Sequence, residues 1–244
     1  MKRYFFYVVV IAIIVVLTVS LRFFFVSYGV KTKEDIYKER REEMVRVQIA
    51  ARGIKNKAVL QAMRIVPRHK FVSENLVQSA YEDKPLPIGC GQTISQPYIV
   101  ALMTELLEVK EKDKVLEVGT GSGYQAAILS QMGVEVYTIE IFEKLGVSAR
   151  KRLKDLGYSR VKVKVADGYY GWPEEAPFDA IIVTCAASHI PPPLVEQLKE
   201  EGRMCIPVGN VFWTQNLMLV RKKEGKIIAE NILPVRFVPL LGEH

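Results

Sequence analysis

A glycine-rich turn, "EVGTGSGY", carries the strongest chemical signal in this 244-residue sequence. Its glycines, Gly119, Gly121 and Gly123, lie between a predicted strand and a predicted helix. Glycine permits the positive φ angles and the close approach of a ligand to the backbone that such a turn requires. A turn that seats a dinucleotide pyrophosphate has its third glycine at position 124, where this chain has Tyr124. The turn therefore predicts a nucleotide-like ligand without a pyrophosphate.

Carboxylates stand at or near the ends of three successive predicted strands. Glu117 lies beside the glycine turn and suits an ammonium group better than a phosphate. Glu140 ends the second strand, where a carboxylate accepts hydrogen bonds from ribose hydroxyls. Asp167 and Gly168 close the third strand, where the adenine edge would lie. A ligand with an amino acid, a ribose and an adenine but no phosphate is S-adenosyl-L-methionine. We therefore predict a methyltransferase that uses this compound as methyl donor.

Other kinds of site do not fit the sequence. No Gly-Lys-Ser/Thr follows the glycines, as a P-loop requires, and Ser122 lacks the flanking glycines of a nucleophile elbow. The histidines form no metal spacing, and an odd number of cysteines without Cys-x-x-Cys spacing argues against zinc or a disulfide framework. We expect no metal and buried, reduced thiols. His189 could line the pocket, but a plain loop histidine is favoured. The residues concerned are His69, His189, His244, Cys90, Cys185 and Cys205.

The elements around these residues predict an α/β fold. Helices are expected from Lys33 to Ala51, ended by Gly53, and from Lys57 to Val66, ended by Pro67. From position 114 onward, short β-rich runs alternate with helical ones, which predicts a parallel sheet with helices on both faces. These runs are Lys114–Val118, Val134–Glu140, Val161–Ala166 and Ala180–Val183. Two further runs, 217–221 and 226–233, predict an antiparallel hairpin appended to the sheet.

The first 30 residues predict a membrane segment ahead of a single domain over residues 31–244. Tyr4 to Leu21 contains no charged residue, and about 18 to 20 apolar residues cross a bilayer core. An uncleaved anchor is favoured over a cleaved signal peptide and over a buried helix. More Lys and Arg residues follow the segment than precede it, which favours a cytoplasmic domain tethered to the inner face of the membrane.

The charge of the chain gives little sign of a nucleic-acid partner. The net charge is +7, of which the first 30 residues contribute three basic and no acidic residues, leaving 31 − 27 = +4 for the remainder. No dense Lys/Arg run with interleaved aromatic residues is present, so no nucleic-acid partner is predicted.

From Met44 to about Gly242 the sequence resembles the protein-L-isoaspartate O-methyltransferases. The likeness includes "MVRVQIAARGIKNKAVLQAMRIVPRHKFV", "YEDKPLPIGCGQTISQP", "VLEVGTGSGYQAAILS", "VADG" and "RFVPLLG". The "GQTISQP" block is much more specific than the glycine turn. The resemblance implies a Rossmann-like class I methyltransferase fold, with a mostly parallel seven-stranded sheet and a C-terminal antiparallel hairpin.

The resemblance also implies roles for individual residues. Ser95 matches the serine designated catalytic in the family, with the implied role of orienting the acceptor carboxylate. The preceding loop, Gln92, Thr93 and Ile94, would contact both ligands and fold over the pocket as a lid; an ordinary helix cap at Ser95 is compatible with this. Thr120 and Glu140 would hold the cofactor, Asp167 and Gly168 would border the adenine, and Val235 to Leu240 would line the peptide cleft. Cys185 stands where the family often has glycine, which would narrow the pocket.

The implied reaction is methyl transfer to the α-carboxyl of L-isoaspartyl residues in damaged proteins and peptides, by an enzyme that we expect to be a monomer. Two alternatives stay open at this point. One is a membrane-associated methyltransferase acting on a small molecule or lipid. The other is a non-catalytic protein that binds S-adenosyl-L-methionine.

Overall fold

The computed structural model describes Tyr7, Ile11 and residues 31–210 and 212–243. Two compact units divide the chain, Met1–Arg40 and Arg41–His244, and the second contains every strand described below. The predicted anchor, residues 1–30, lies outside the described residues apart from Tyr7 and Ile11. Within the described ranges, no helix has both the length and the apolar character needed to cross a bilayer.

Six α-helices and nine strands are described. The helices are α1 Lys33–Glu43, α2 Lys57–Ile65, α3 Pro97–Leu106, α4 Tyr124–Gln131, α5 Glu143–Asp155 and α6 Pro192–Gln197. The strands are β1 Leu86–Gly89, β2 Gln92–Ile94, β3 Lys114–Val118, β4 Glu135–Glu140, β5 Lys162–Val165, β6 Phe178–Val183, β7 Leu198–Val208, β8 Gln215–Lys223 and β9 Lys226–Val235. Short 3-10 turns cover Ala50–Arg52, Arg68–Phe71, Glu74–Ser79, Gly168–Tyr170 and Pro173–Glu175.

The main sheet has seven strands in the order β5-β4-β3-β6-β7-β8-β9. Strands β3 to β7 run parallel, and β8 and β9 form the antiparallel hairpin at the edge. This confirms the predicted sheet and hairpin, with strand ends that differ from the expected ones by at most two residues. Strand β7 completes the set of seven, although no run of residues in this region was predicted to be a strand.

The first predicted helix is wrong as one continuous α-helix. Its α-helical part ends at Glu43, and Met44–Ile49 forms a π-helical turn in which the Ala50 N–H reaches back to the Val45 carbonyl. This wider turn buries Met44, Val45 and Ile49 completely. Gly53, in the left-handed region at φ 100°, ends the segment as predicted.

The chain that follows β9 is fixed on two sides. On one side, the Ala186 N–H donates to the Val238 carbonyl at 2.8 Å, and the Leu240 N–H donates to the Ala186 carbonyl at 2.7 Å. On the other, the buried amide of Gln215 accepts from the Phe237 N–H at 2.9 Å. The same amide donates to the carbonyls of Asn210 and Trp213 at 3.3 and 3.0 Å. One side chain therefore ties this tail to the β7–β8 loop.

Gln215→Met should lower the free energy of unfolding by about 1 to 3 kcal/mol, because it leaves these buried backbone groups without their hydrogen-bond partner while filling a similar volume. Urea denaturation measures the change. Asn216→Ala, at the exposed neighbouring position, is the matched control and should change stability little. Equal stability of the Gln215→Met and wild-type proteins would contradict this account of the tail.

Candidate active site

A cleft opens at the carboxyl ends of β3 and β4 and contains most of the predicted site residues. Ligands bind at this edge of open parallel sheets. Ten of the twelve predicted residues line the cleft: Gln92, Thr93, Ile94, Ser95, Glu117, Gly119, Thr120, Gly121, Glu140 and Gly168. The other two, Gly123 and Asp167, do not line the cleft.

The glycine turn is held by backbone hydrogen bonds to the neighbouring strand. The N–H groups of Gly119 and Thr120 donate to the Ile139 carbonyl at 2.8 and 3.1 Å. Gly119 has φ 99°, and a Cβ at this position would lie 2.5 Å from the Thr184 hydroxyl oxygen. That hydroxyl donates to the Gly119 carbonyl at 2.7 Å, so the turn leaves no room for a side chain there. Gly123, at φ 86°, begins α4 and faces Leu153 rather than the cleft.

Glu140 is buried, and its orientation is fixed by the backbone. One carboxylate oxygen accepts from the Gly121 N–H at 2.7 Å and the other from the Phe142 N–H at 3.0 Å. A carboxylate oxygen can accept more than one hydrogen bond, so both retain capacity for a ligand. The geometry suits the hydroxyls of a ribose, as predicted for this position.

Glu117 is fully buried, and within the described part of the chain neither of its carboxylate oxygens has a hydrogen-bond partner. Burial raises the pKa of Glu117 to about 8; the nearby Glu140 acts in the same direction, and the Thr138 hydroxyl offsets the increase in part. A buried carboxyl without a partner is costly unless a ligand supplies one. Its position in the cleft wall therefore fits a cationic group such as an ammonium.

Asp167 and Gly168 take different positions. The Asp167 carboxylate accepts from the Tyr169 N–H at 2.9 Å and packs closely against Gly242 of the tail. Gly168 lines the cleft directly, and a Cβ there would lie 2.5 Å from a methyl group of Val118. The carboxylate thus holds the Gly168–Tyr170 turn, while Gly168 presents a bare backbone to the cleft.

The segment before Ser95 is a β-hairpin, where the sequence reasoning expected a loop. Strands β1 and β2 pair antiparallel across a turn in which Gly89, Cys90 and Gly91 all have positive φ. The helix cap at Ser95 that the sequence also allowed is not found: α3 begins at Pro97, and Gln96 is the cap residue, with no side-chain capping bond. No other residue that the structure describes hydrogen-bonds the Ser95 hydroxyl, which faces the cleft.

A second cavity, here called the outer groove, adjoins the cleft. It is lined by α3 residues, by Thr214 and by residues 233–238 of β9 and the tail. Thr93, Ser95, Thr184 and Val238 line both cavities. Ser95 therefore stands where the two spaces meet, and the expected tail segment forms the wall of each.

Some lining residues were not predicted. Thr184 follows β6, so the rule that ligands contact strand ends could have found it. Ile141 and Phe142 follow Glu140 by the same rule. Cys185 does line the cleft, and burial raises the pKa of its thiol well above the usual range. His189 bonds Ser188 and Tyr169 and does not line the cleft, as the loop-histidine interpretation held.

Comparison with known families now decides the assignment. The family model described as protein-L-isoaspartate(D-aspartate) O-methyltransferase matches residues 39–244. The chain belongs to this family.

Individual members of the protein-L-isoaspartate O-methyltransferase family agree with the match. A protein-L-isoaspartate O-methyltransferase 1 from Nitrosospira multiformis is 59% identical over 211 residues, which cover 85% of this chain and 89% of the relative. A solved protein-L-isoaspartate O-methyltransferase structure superposes with a TM-score of 0.76 at 30% identity, over 83% of this chain and 66% of that one. A Plasmodium falciparum member in complex with S-adenosyl-L-homocysteine gives a TM-score of 0.72 at 30% identity, over 82% and 98%. The fold is the Rossmann-like class I methyltransferase fold.

Glu117→Gln should weaken binding of S-adenosyl-L-homocysteine, which retains the ammonium group, by about tenfold or more, because a hydrogen bond to a charged group is lost. Wild-type binding should strengthen as pH rises from 6 to 8, since the carboxyl with a pKa of about 8 must ionise to pair with a cation. This pH dependence should disappear in Glu117→Gln. Isothermal titration calorimetry at several pH values measures both effects.

The ligand-free protein provides a further readout of the same substitution. The raised pKa means that the folded state binds the Glu117 proton more tightly than the unfolded state does. The resulting contribution to stability is fully present below about pH 4.3 and is lost as the pH rises towards 8. Glu117→Gln should therefore be more stable than wild type at pH 8. Glu135→Gln, at an exposed position on β4, serves as control. Unchanged affinity and an unchanged pH slope in Glu117→Gln would refute the assigned role.

Proposed function

We propose that this chain transfers a methyl group from S-adenosyl-L-methionine to the α-carboxyl of L-isoaspartyl residues in damaged proteins and peptides, which starts their repair. The observation that carries the proposal is the junction of cleft and outer groove at Ser95, in a chain that belongs to the isoaspartate methyltransferase family. A cleft at the strand ends that joins an open groove suits a reaction between a small methyl donor and one residue of a longer chain.

The residues of the cleft fit the methyl donor group by group. Glu117 would pair with its ammonium, Glu140 would accept from its ribose hydroxyls, and Gly168 would lie beside its adenine. Gln92 to Ile94 and Thr120 would complete the contacts. When bound, S-adenosyl-L-methionine supplies an electrophilic methyl group on a sulfonium that is already a good leaving group.

Ser95 positions the acceptor in this proposal. A carboxylate acceptor is ionised at neutral pH, so no general base is required. What the protein must provide is closeness and orientation, which lower the barrier by holding the reacting atoms in contact geometry. The unpaired Ser95 hydroxyl can donate to one carboxylate oxygen and so direct the other towards the methyl group. The tail residue Val238 and Thr184 close the remaining sides of the junction.

The methyl ester that forms is a better electrophile than the carboxylate. The following backbone nitrogen attacks the ester carbonyl, methanol leaves and a succinimide results. Hydrolysis of that ring gives back, in part, a normal aspartyl residue. These steps need a flexible and exposed chain around the damaged site, which the open outer groove accommodates.

The test is methyl transfer to matched peptides that contain either an L-isoaspartyl or a normal aspartyl residue. Labelled S-adenosyl-L-methionine should label only the isoaspartyl peptide, as a base-labile ester. Ser95→Ala should lower kcat/KM by about 10- to 100-fold, because one hydrogen bond to a charged group is lost, and leave affinity for the methyl donor unchanged. The measurement is initial-rate kinetics with calorimetry of donor binding.

Ser159→Ala, at an exposed position outside both cavities, is the matched control and should behave as wild type. Labelling of a lipid extract but not of peptides would favour a small-molecule or lipid methyltransferase instead. Binding of the donor without transfer to any acceptor would favour a non-catalytic binding protein. Each of these outcomes would refute the proposal.

For location, we propose that residues 4–21 tether a monomeric enzyme to the inner face of the membrane, with the catalytic domain in the cytoplasm. The support is the uncharged run from Tyr4 to Leu21 and the excess of basic residues after it. The methyl donor is also made and kept in the cytoplasm.

The full chain should therefore fractionate with membranes in an alkaline carbonate wash, whereas a chain that begins at residue 31 should stay in the supernatant. Added protease should leave the domain intact in cells with a sealed membrane. Release of the full chain by carbonate, or digestion from outside, would contradict the tether or its orientation respectively.

A further inference from the structure

The outer groove has an excess of positive charge away from Ser95, where the acceptor would lie. Among the described residues that line it are two arginines, Arg52 and Arg236, and no aspartate or glutamate. The other lining side chains are neutral. An ionised group of the substrate that enters this groove therefore meets positive charge.

Arg52 is already neutralised by its surroundings. Its guanidinium lies 3.5 Å from the centre of the Tyr98 ring, and it donates to the Asp83 carboxylate at 2.9 Å. Asp83 in turn is held through its carbonyl, which accepts from the Gln96 amide at 3.2 Å. This pair contributes little net charge to the groove.

Arg236 differs from Arg52 in having no compensating anion among the residues that the structure describes. Its side chain is exposed, and it forms no ion pair or hydrogen bond with any residue in the described ranges. Its backbone is nonetheless fixed, because the next residue, Phe237, donates to the buried Gln215 amide and Val238 accepts from Ala186. A charged side chain on a fixed backbone loses less freedom when it pairs with a substrate than one on a mobile loop.

The position of Arg236 identifies which part of the substrate it can reach. Arg236 lines the outer groove but not the cofactor cleft, so it lies away from the methylated carboxylate at Ser95. It stands two residues from Val238, which lines both cavities, and two residues of extended chain span at most about 7 Å. An extended substrate rises about 3.3 Å per residue, so Arg236 faces a substrate residue about two positions from the isoaspartyl residue.

We propose that Arg236 is a specificity-determining residue that favours isoaspartyl substrates with an acidic side chain within one to three residues of the damaged site. This proposal rests on the isoaspartyl methyltransferase function proposed above. Aspartate or glutamate near the site would pair with the guanidinium, and lysine or arginine there would be repelled. The enzyme would therefore repair acidic segments faster than basic ones.

The test uses isoaspartyl peptides that differ only in one residue, glutamate, glutamine or lysine, at each of the three positions on either side. In wild type, kcat/KM should be about three- to tenfold higher for glutamate than for lysine at one or more positions, with glutamine between. Added salt should reduce the ratio, since an exposed ion pair is screened.

Variants assign the effect to one side chain. Arg236→Gln should bring the glutamate-to-lysine ratio close to one. Arg236→Glu should reverse the preference. Arg160→Gln removes an exposed cation at the opposite edge of the sheet, ahead of β5, and should leave the ratio unchanged.

Equal rates for glutamate and lysine peptides at every position in wild type would overturn the inference, as would a ratio that persists in Arg236→Gln. In either case methylation of the glutamine peptide would leave the proposed function intact. Failure to methylate any isoaspartyl peptide would overturn both.

Discussion

The parallel register of β3 with β4 is the constraint on which the site depends. It pairs Glu117 with Thr138 and Val118 with Ile139, so the glycine turn after β3 meets the Ile139 carbonyl and donates two N–H groups to it. Because side chains alternate along a strand, the same register places Glu117 and Glu140 on one face of the sheet. A shift of one residue would place the two carboxylates on opposite faces of the sheet and separate the turn from its acceptor.

This arrangement lowers the stability of the ligand-free protein at a position that suits a cationic ligand. Glu140 is satisfied by backbone N–H groups, whereas Glu117 is buried with no partner in the described structure. Burial favours the protonated form of Glu117 in the free protein, and a cation beside the carboxylate would favour its ionised form. Strained or unsatisfied groups of this kind are expected at functional sites, since a sequence selected for stability alone would remove them.

The sequence could predict most of the fold because its signals are local. Alternating strand and helix runs, the glycine turn and the Lys-Glu-Gly turn each depend on a few neighbouring residues, and the parallel sheet with its hairpin follows from them. The π-helical turn at Met44–Ile49 could not be predicted, since it is set by which side chains must be buried against distant elements. A helix cap at Ser95, which Ser-x-Pro would also fit, is not found, because α3 begins at Pro97 with Gln96 as its cap residue. Gln215, one of several polar residues in its strand, gave no local sign that its amide bonds the backbone of Asn210, Trp213 and Phe237.

The junction at Ser95 explains why the "GQTISQP" segment precedes strand β3 in the sequence. Thr93 and Ser95 come from the hairpin before β3, Thr184 from the end of β6, and Val238 from the tail after β9. The cofactor cleft is built mainly from consecutive strand ends, which many methyltransferases share, but the acceptor side needs segments from both ends of the domain. Acceptor choice can therefore change without disturbing the β3–β4 register, because the tail is held by hydrogen bonds at Ala186 and Gln215 and the β1–β2 hairpin forms a sheet of its own. This separation places chemistry in the sheet and substrate selection in the segments that close over it.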